Sequence, residues 1–277
     1  MTYVPIDGKP FALTMGLRAL QLDNWIEIDE HFDSELEQKR ELLAKNHDQV
    51  FASLDSGFQG SKETLDLLQE FLPKRFPTEF ADPIEIDPSK HPLESASLLV
   101  QEDLVIMSPH EDQWVLTAAC VCFPSRWDLT TKLGKNLFEI HTPVPDYNSR
   151  IGAATNTMFG KFTKDRPVWR INWTVLDTDE LYLPSGAGRR EHTPTDSQSF
   201  GDSTFFRTER QTMRVLPSGD ILFTIRTYVD SLTSIDKRYP EFREQLGQTL
   251  ATVSPEMRAY KGWKPMWTEL MTWSRQS

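Results

Sequence analysis

The fold of this chain is organised around residues 118–145, which read AACVCFPSRWDLTTKLGKNLFEIHTPVP. The stretch begins as an apolar run typical of a strand, turns at Pro-Ser-Arg-Trp-Asp, and continues as a short helical patch that ends at His141. Pro143 and Pro145 prevent this helix from simply continuing. The stretch therefore predicts a strand, a turn and a histidine whose direction is fixed.

Strand and helix patterns on both sides of this stretch predict an α+β fold. Two strands are predicted within residues 98–108 and 113–123, and strict alternation predicts a third over residues 167–177. The clearest hairpin spans residues 205–232, where Pro217–Asp220 has the composition of a turn between antiparallel strands. Helices are predicted over residues 33–54, from 61 to Pro73 or Pro77, and over 147–162, 240–253, 255–260 and 263–273. A mobile loop is predicted over residues 184–203.

The order of these elements predicts one domain. Residues 1–92 are expected to form a helical N-terminal wrap and connector, residues 93–235 the core, and residues 236–277 C-terminal helices. The core is expected to be an antiparallel sheet of about five strands, with a helical segment crossing one face and closing a pocket. Two strands, helices and then three strands is the order of a PAS-like fold, although a fold alone does not give a function.

Composition limits the classes of function. A net charge of −11 argues against nucleic acid as a partner, because phosphate binding needs clustered Lys and Arg. The longest uncharged apolar runs are much shorter than the roughly 20 residues that cross a bilayer, and the first residues lack a secretory signal. Cys120 and Cys122 are too close for an unstrained disulfide, which favours reduced thiols and a cytoplasmic protein.

Among the six histidines, His141 is the strongest candidate for a metal ligand. It follows an apolar helical patch, where an unpaired imidazole needs a partner, and iron in haem is the metal that takes a single protein ligand. The competing interpretation is ligation by the thiolate of Cys120 or Cys122. Both cysteines lie among small apolar residues, where cysteine is commonly a buried hydrophobe, so the sequence favours His141.

Long segments of the chain resemble the haem-dependent oxidative N-demethylase family. They are MGLRAL at 15–20, VQEDLVIM at 100–107, CFPSRWDLTTKLGKNLFEIHTPVP at 122–145, RPVWRINWTV at 166–175 and FRTERQTMRVLPSGDILFTIRTYVDSL at 206–232. The resemblance runs from about Met15 to Trp263, nearly the whole chain.

The resemblance implies a PAS-like core that holds haem b through its iron. It also implies oxidation of a small amine. A characterised member of the family converts dimethylamine to methylamine and formaldehyde with dioxygen. Electrons would come from a flavin and iron–sulfur reductase partner. Two cysteines cannot hold an iron–sulfur cluster, which normally takes four ligands. The alternative is a PAS-type haem sensor or carrier without catalytic turnover.

Polar residues of the hairpin are the candidates for catalysis. Arg207 and Glu209 share one face of their strand, and Arg226 and Tyr228 share a face of the next. In the functional interpretation, Glu209 holds the charge of an amine or accepts its proton, and Arg226 or Tyr228 donates hydrogen bonds to dioxygen at the iron. The alternative is an exposed sheet face with cross-strand ion pairs.

Two arginines are candidates for binding haem propionates. Arg207 lies in the hairpin, and Arg126 lies in the Pro-Ser-Arg-Trp-Asp turn. The alternative for Arg126 is a role in packing that turn.

Overall fold

The computed structural model describes residues 3–185 and 197–276. Its strands are β1 (Arg18–Ala19), β2 (Phe51–Ser53), β3 (Asp103–His110), β4 (Gln113–Cys120), β5 (Val168–Leu176), β6 (Phe205–Val215) and β7 (Ile221–Ser231). Its α-helices are α1 (Phe32–Lys45), α2 (His47–Val50), α3 (Phe58–Arg75), α4 (Pro92–Ser97), α5 (Leu137–Ile140), α6 (Ala153–Phe159), α7 (Ser197–Ser203), α8 (Leu232–Arg238), α9 (Phe242–Leu250), α10 (Pro255–Tyr260) and α11 (Trp267–Trp273). The α+β class is confirmed.

The strands form one antiparallel sheet in the order β1-β5-β6-β7-β3-β4-β2. The expectation of about five strands is corrected to seven within the described residues. The five long strands were predicted, and two short strands extend the edges, where β1 pairs with β5 and β2 pairs with β4. Strands of two and three residues are too short to show an alternating pattern, so the sequence gives no signal for them.

The register of the sheet separates its side chains into two faces. We call the face that carries Arg170, Glu209 and Val105 the upper face, and the opposite face the lower face. The lower face carries Arg210 and Arg226, which are direct cross-strand partners.

Different segments cover the two faces. Between β4 and β5 the chain lays α5 and α6 over the upper face, where Leu137 and Phe159 pack with Val105, Met107 and Ala119. The lower face packs against α3 and α4, with a cluster of buried residues that includes Leu68, Leu72, Leu93, Ala96, Leu104, Ile106 and Leu222. Full burial of each such large aliphatic side chain stabilises the fold by about 1.5–3 kcal/mol.

The C-terminal helices close one end of the sheet. Trp263 is fully buried, and its indole Nε1 donates to the carbonyl oxygen of Val175 across 3.0 Å. It lies in a cluster with Phe206, Phe242 and Trp273. These contacts hold the segment around α10 beside β5, next to the polar part of the upper face.

Several predicted boundaries differ from the structure, and three of the differences have a clear origin. The helix expected to reach Leu54 ends earlier, because Phe51–Ser53 forms β2 against β4. The next helix begins at Phe58 rather than Ser61, just after Gly57, where a Cβ atom would come within 2.6 Å of the carbonyl oxygen of Thr117. In the loop predicted over residues 184–203, residues 197–203 form α7, and residues 186–196 lie outside the described residues.

Candidate functional site

A single helical turn fixes the direction of His141. Helix α5 begins with a capping box, in which Asn136 and Glu139 satisfy each other's backbone N–H groups. His141 follows directly, and its Nδ1 lies 2.8 Å from the carbonyl oxygen of Leu137. Because a carbonyl can only accept, Nδ1 carries the hydrogen and Nε2 keeps its lone pair. Among the described residues, Nε2 has no hydrogen-bond partner.

The surroundings of His141 keep the imidazole neutral. Its ring stacks on that of Tyr147, with centroids 4.0 Å apart and planes 8° apart. Burial, helped by the charges of Arg170 and Lys132, lowers the pKa of His141 to about 4, against the opposing effect of the Leu137 hydrogen bond. A neutral imidazole with one directed lone pair is the form that ligates a metal.

The polar part of the upper face is centred on Glu209. Its Oε2 accepts from Asn172 Nδ2 at 3.2 Å and from Gln211 Nε2 at 3.1 Å. The guanidinium Nε of Arg207 lies 3.6 Å from Oε1 of the same carboxylate. The carboxylate is therefore oriented by residues of β5 and β6, and 13% of the Glu209 side chain is exposed, enough for a ligand to reach it.

Arg207 is fully buried and shares this face with Glu209. Its guanidinium donates to the backbone carbonyl oxygens of Leu181 and Phe123, the former at 3.0 Å. Burial lowers the pKa of Arg207, and the charges of Glu209 and Asp103 oppose this effect. Much of its hydrogen-bonding capacity is thus used to hold the chain after β4 and the chain after β5 together.

Two cations that the sequence analysis did not select lie beside Glu209. Arg170 of β5 is half-buried, and its Nε is buried without a hydrogen-bond partner in the described residues. Lys261, just after α10, donates from Nζ to the carbonyl oxygen of Trp173 at 2.8 Å. Burial lowers the pKa of Lys261 to about 8, opposed by the charge of Glu209 and aided by that of Arg170. Arg170 does share the face of Asn172 in the alternating sequence of β5, and that was the available signal.

Arg226 and Tyr228 are not brought together with Glu209. In the register of the hairpin Glu209 lies opposite Thr227, so the two candidates project to the lower face. Arg226 binds Glu35 at 2.8 Å and Asp29 at 2.7 Å. The hydroxyl of Tyr228 donates to the carboxylate of Glu27. Both residues line a cavity of about 390 Å³ between β7 and α1, away from His141.

Arg126 lies in the turn after β4. Its guanidinium binds Asp177 at 2.9 Å, and its backbone N–H donates to the carbonyl oxygen of Leu183 at 2.6 Å. Its φ of +55° is in the left-handed region, which is uncommon for a residue other than glycine. These contacts hold the turn against the segment that follows β5. No hydrogen bond or ion pair that we identify links Arg126 to His141 or Glu209.

The upper face carries one candidate for an axial haem ligand, His141. In residues 3–185 and 197–276 no group of three His, Cys, Asp or Glu side chains is arranged to hold a metal ion. Haem iron needs only one axial protein ligand, and His141 has its Nδ1 held and its Nε2 lone pair unused. Apolar side chains pack on the sheet beside it, and the Nε–H of Arg170 is buried without an acceptor in the described residues.

A neutral imidazole whose Nδ1 is held by a backbone carbonyl is the kind of ligand that histidine-ligated haem proteins use. Comparison with known families gives the more specific assignment: the chain belongs to the family described as haem-dependent oxidative N-demethylase, alpha subunit-like, whose sequence model matches residues 16–271. This confirms the resemblance seen in the sequence. No curated protein matches the chain. None of the helices in the described ranges is both long enough and apolar enough to cross a membrane.

Proposed function

We propose that this chain is a haem-dependent monooxygenase that removes a methyl group from a small methylated amine. The observation that carries the proposal is the hydrogen bond from His141 Nδ1 to Leu137, which leaves the Nε2 lone pair of a neutral imidazole directed away from its own helix. The family to which the chain belongs supports the oxidative N-demethylase chemistry.

In this proposal the cofactor is haem b, and Nε2 of His141 ligates its iron. The Leu137 carbonyl holds the tautomer, and the stacked ring of Tyr147 holds the plane of the imidazole. Bound haem supplies the activation of dioxygen. Arg207 and Arg126 support the site by tying together the segments after β4 and β5 and are the first candidates for contact with haem propionates.

Glu209 binds the amine in this proposal. Its carboxylate is aimed by Asn172 and Gln211, so it can pair with an ammonium group or take up its proton without reorienting. Arg226 and Tyr228 act from the lower face, where they hold β7 in place, rather than by touching the amine.

The reaction needs an external source of electrons. For dimethylamine the balance is one amine, one dioxygen, two electrons and two protons, giving methylamine, formaldehyde and water. The chain has two cysteines, both buried, and an iron–sulfur cluster normally takes four ligands. We infer that a partner reductase carrying flavin and an iron–sulfur cluster delivers the electrons, and that the reaction takes place in the cytoplasm.

The five long strands support a PAS-like core. They lie in the order β4-β3-β7-β6-β5, so the first and last long strands of the chain are neighbours, and the helical segment after β4 covers one face. We infer that residues 93–235 form this core and that the haem lies between the sheet and the covering segment.

Formaldehyde release tests the proposed function. Full-length protein reconstituted with haemin is supplied with dimethylamine, dioxygen and a reductase, and formaldehyde and oxygen uptake are measured. We expect one formaldehyde for each dioxygen consumed, loss of turnover in His141→Ala, and unchanged turnover in His110→Ala, which alters an exposed histidine. A protein that binds haem through His141 but releases no formaldehyde from any small methylated amine is instead a haem sensor or carrier.

A further inference from the structure

Three cations act on Glu209: Arg170 and Arg207 lie on the upper face of the sheet, and Lys261 reaches β5 through the Trp173 carbonyl. Arg170, Arg207 and Lys261 all feel the charge of Glu209, which raises the pKa of each of them against the effect of burial. Three cations thus share one carboxylate, although Asp103 also acts on Arg207. Burial is the main cause of the lowered pKa of His141, and the charge of Arg170 adds to it, so Arg170 lies near the imidazole.

The cations differ in how their charge is compensated. Arg207 donates to two backbone carbonyl oxygens and lies 3.6 Å from the Glu209 carboxylate. Lys261 donates to the Trp173 carbonyl and lies over the rings of Trp173 and Trp263, with Nζ 5.5 and 5.4 Å from their centroids. Arg170 makes no hydrogen bond or ion pair within the described residues, and its Nε is buried.

The buried Nε–H of Arg170 lacks an acceptor, and an anion beside the guanidinium supplies one. The guanidinium keeps its charge at neutral pH. A planar guanidinium matches a carboxylate in two parallel hydrogen bonds. The neighbourhood of Arg170 also contains Tyr147, which stacks on His141, so an anion there lies beside the imidazole.

We propose that Arg170 forms a carboxylate-binding subsite beside His141. Two sources supply that chemistry: a propionate of the haem, or a carboxylate on the amine substrate, as in an N-methyl amino acid. The first source rests on the proposed function, and the second does not need haem.

The test compares Arg170→Gln with the wild-type full-length chain in two titrations. The first follows the absorption of haemin and of haemin dimethyl ester, which lacks the carboxylates, on binding to the protein. A propionate on Arg170 predicts that haemin binds the wild type about ten- to a hundredfold more tightly than the ester, and that Arg170→Gln loses this preference. Arg170→Lys keeps the positive charge but not the paired donors of the guanidinium, so it is expected to retain part of the preference for haemin over the ester.

The second titration follows the thermal midpoint of the haem-free protein with N-methylglycine or dimethylamine. A substrate carboxylate on Arg170 predicts that N-methylglycine raises the midpoint of the wild type but not of Arg170→Gln. Arg275→Gln, which removes an exposed arginine, is the matched control and behaves as the wild type in both titrations.

Two further results separate the possible failures. Without any ligand, Arg170→Gln melts at or above the wild-type temperature, because a buried N–H without an acceptor has been removed; a marked loss of stability contradicts the subsite. If the wild type takes up no haemin, the proposed function is wrong. The N-methylglycine titration then tests the carboxylate subsite by itself. The subsite is overturned if Arg170→Gln matches the wild type in both titrations.

Discussion

Arg226 of β7 and Glu35 of α1 form a buried ion pair of 2.8 Å, although 191 positions separate them in the chain. The same guanidinium reaches Asp29, and the neighbouring Tyr228 donates to Glu27. These contacts attach the N-terminal segment to the lower face of the sheet. Arg226 and Tyr228, the catalytic candidates of the second hairpin strand, therefore contribute to this attachment.

Loss of Arg226 is expected to destabilise the protein strongly. Arg226→Leu leaves Glu35 and Asp29 without their partner, and breaking a buried pair in this way costs about 3–5 kcal/mol. The free energy of unfolding in urea measures the effect. Arg238→Leu is the control, because the Arg238 side chain is 44% exposed and its pair with Asp230 is expected to contribute less than about 1 kcal/mol. If the Arg226→Leu protein is as stable as the wild type but inactive, Arg226 acts in catalysis and not in stability.

Glu102 is expected to make the protein less stable as the pH rises from about 4.5 to about 7. Burial raises the pKa of Glu102 to about 7 from its usual 4.5. Between these values the folded protein holds a proton that the unfolded chain releases, so the free energy of unfolding falls as the pH rises. The lost stability is on the order of 3 kcal/mol.

Glu102→Gln tests this dependence. The backbone N–H of Glu27 donates to Glu102 Oε1 at 3.0 Å, an interaction that the amide oxygen retains. Urea unfolding at pH 5 and pH 8 is expected to give a smaller difference for Glu102→Gln than for the wild type, whereas the exposed Glu85→Gln keeps the wild-type difference. Equal differences for all three proteins contradict the prediction.

Amine binding is expected to depend on Glu209. Glu209→Gln keeps the shape of the side chain but removes its charge, so it should weaken the binding of dimethylamine at least tenfold, equivalent to about 1.4 kcal/mol or more. The shift of the haem absorption on titration with the amine measures this affinity. Exposed Glu269→Gln is the control. If Glu209→Gln binds the amine as tightly as the wild type does, Glu209 does not bind the amine.

The cysteines are expected to be inert and to take no part in haem ligation. Cys120 and Cys122 are buried free thiols with sulfurs 4.0 Å apart, and Cys120 Sγ donates to Ser97 Oγ at 3.1 Å. A thiol reagent should modify neither cysteine in the native protein and both in urea. Replacing both cysteines with alanine should leave the haem spectrum unchanged. A changed spectrum would mean that the thiolate of Cys120 or Cys122 ligates the haem iron.

The sequence predicted the elements whose periodicity is long enough to read. The hairpin of β6 and β7 has eleven residues in each strand, and the structure confirms it with the turn at Pro217–Asp220. Alternation along β5 also predicted correctly that Arg170 and Asn172 share a face. Short edge strands such as Phe51–Ser53 could not be read, because their position depends on pairing with a distant strand.

The site was harder to predict than the fold. Alternation told which residues of one strand share a face, but the relative placement of β6 and β7 depends on their register, which puts Glu209 opposite Thr227 and Arg226 opposite Arg210. Lys261 comes from a C-terminal segment whose position beside β5 is set by the burial of Trp263. Nothing in the local sequence around Lys261 indicates that contact.

The absorption spectrum of the reconstituted protein shows whether Nε2 of His141 ligates the haem iron. The wild type is expected to show a Soret band of histidine-ligated haem. His141→Gly should lose that spectrum and regain it when free imidazole is added, because imidazole can enter the space left by the ring. A His141→Gly protein that shows the wild-type spectrum without imidazole means that another residue ligates the iron.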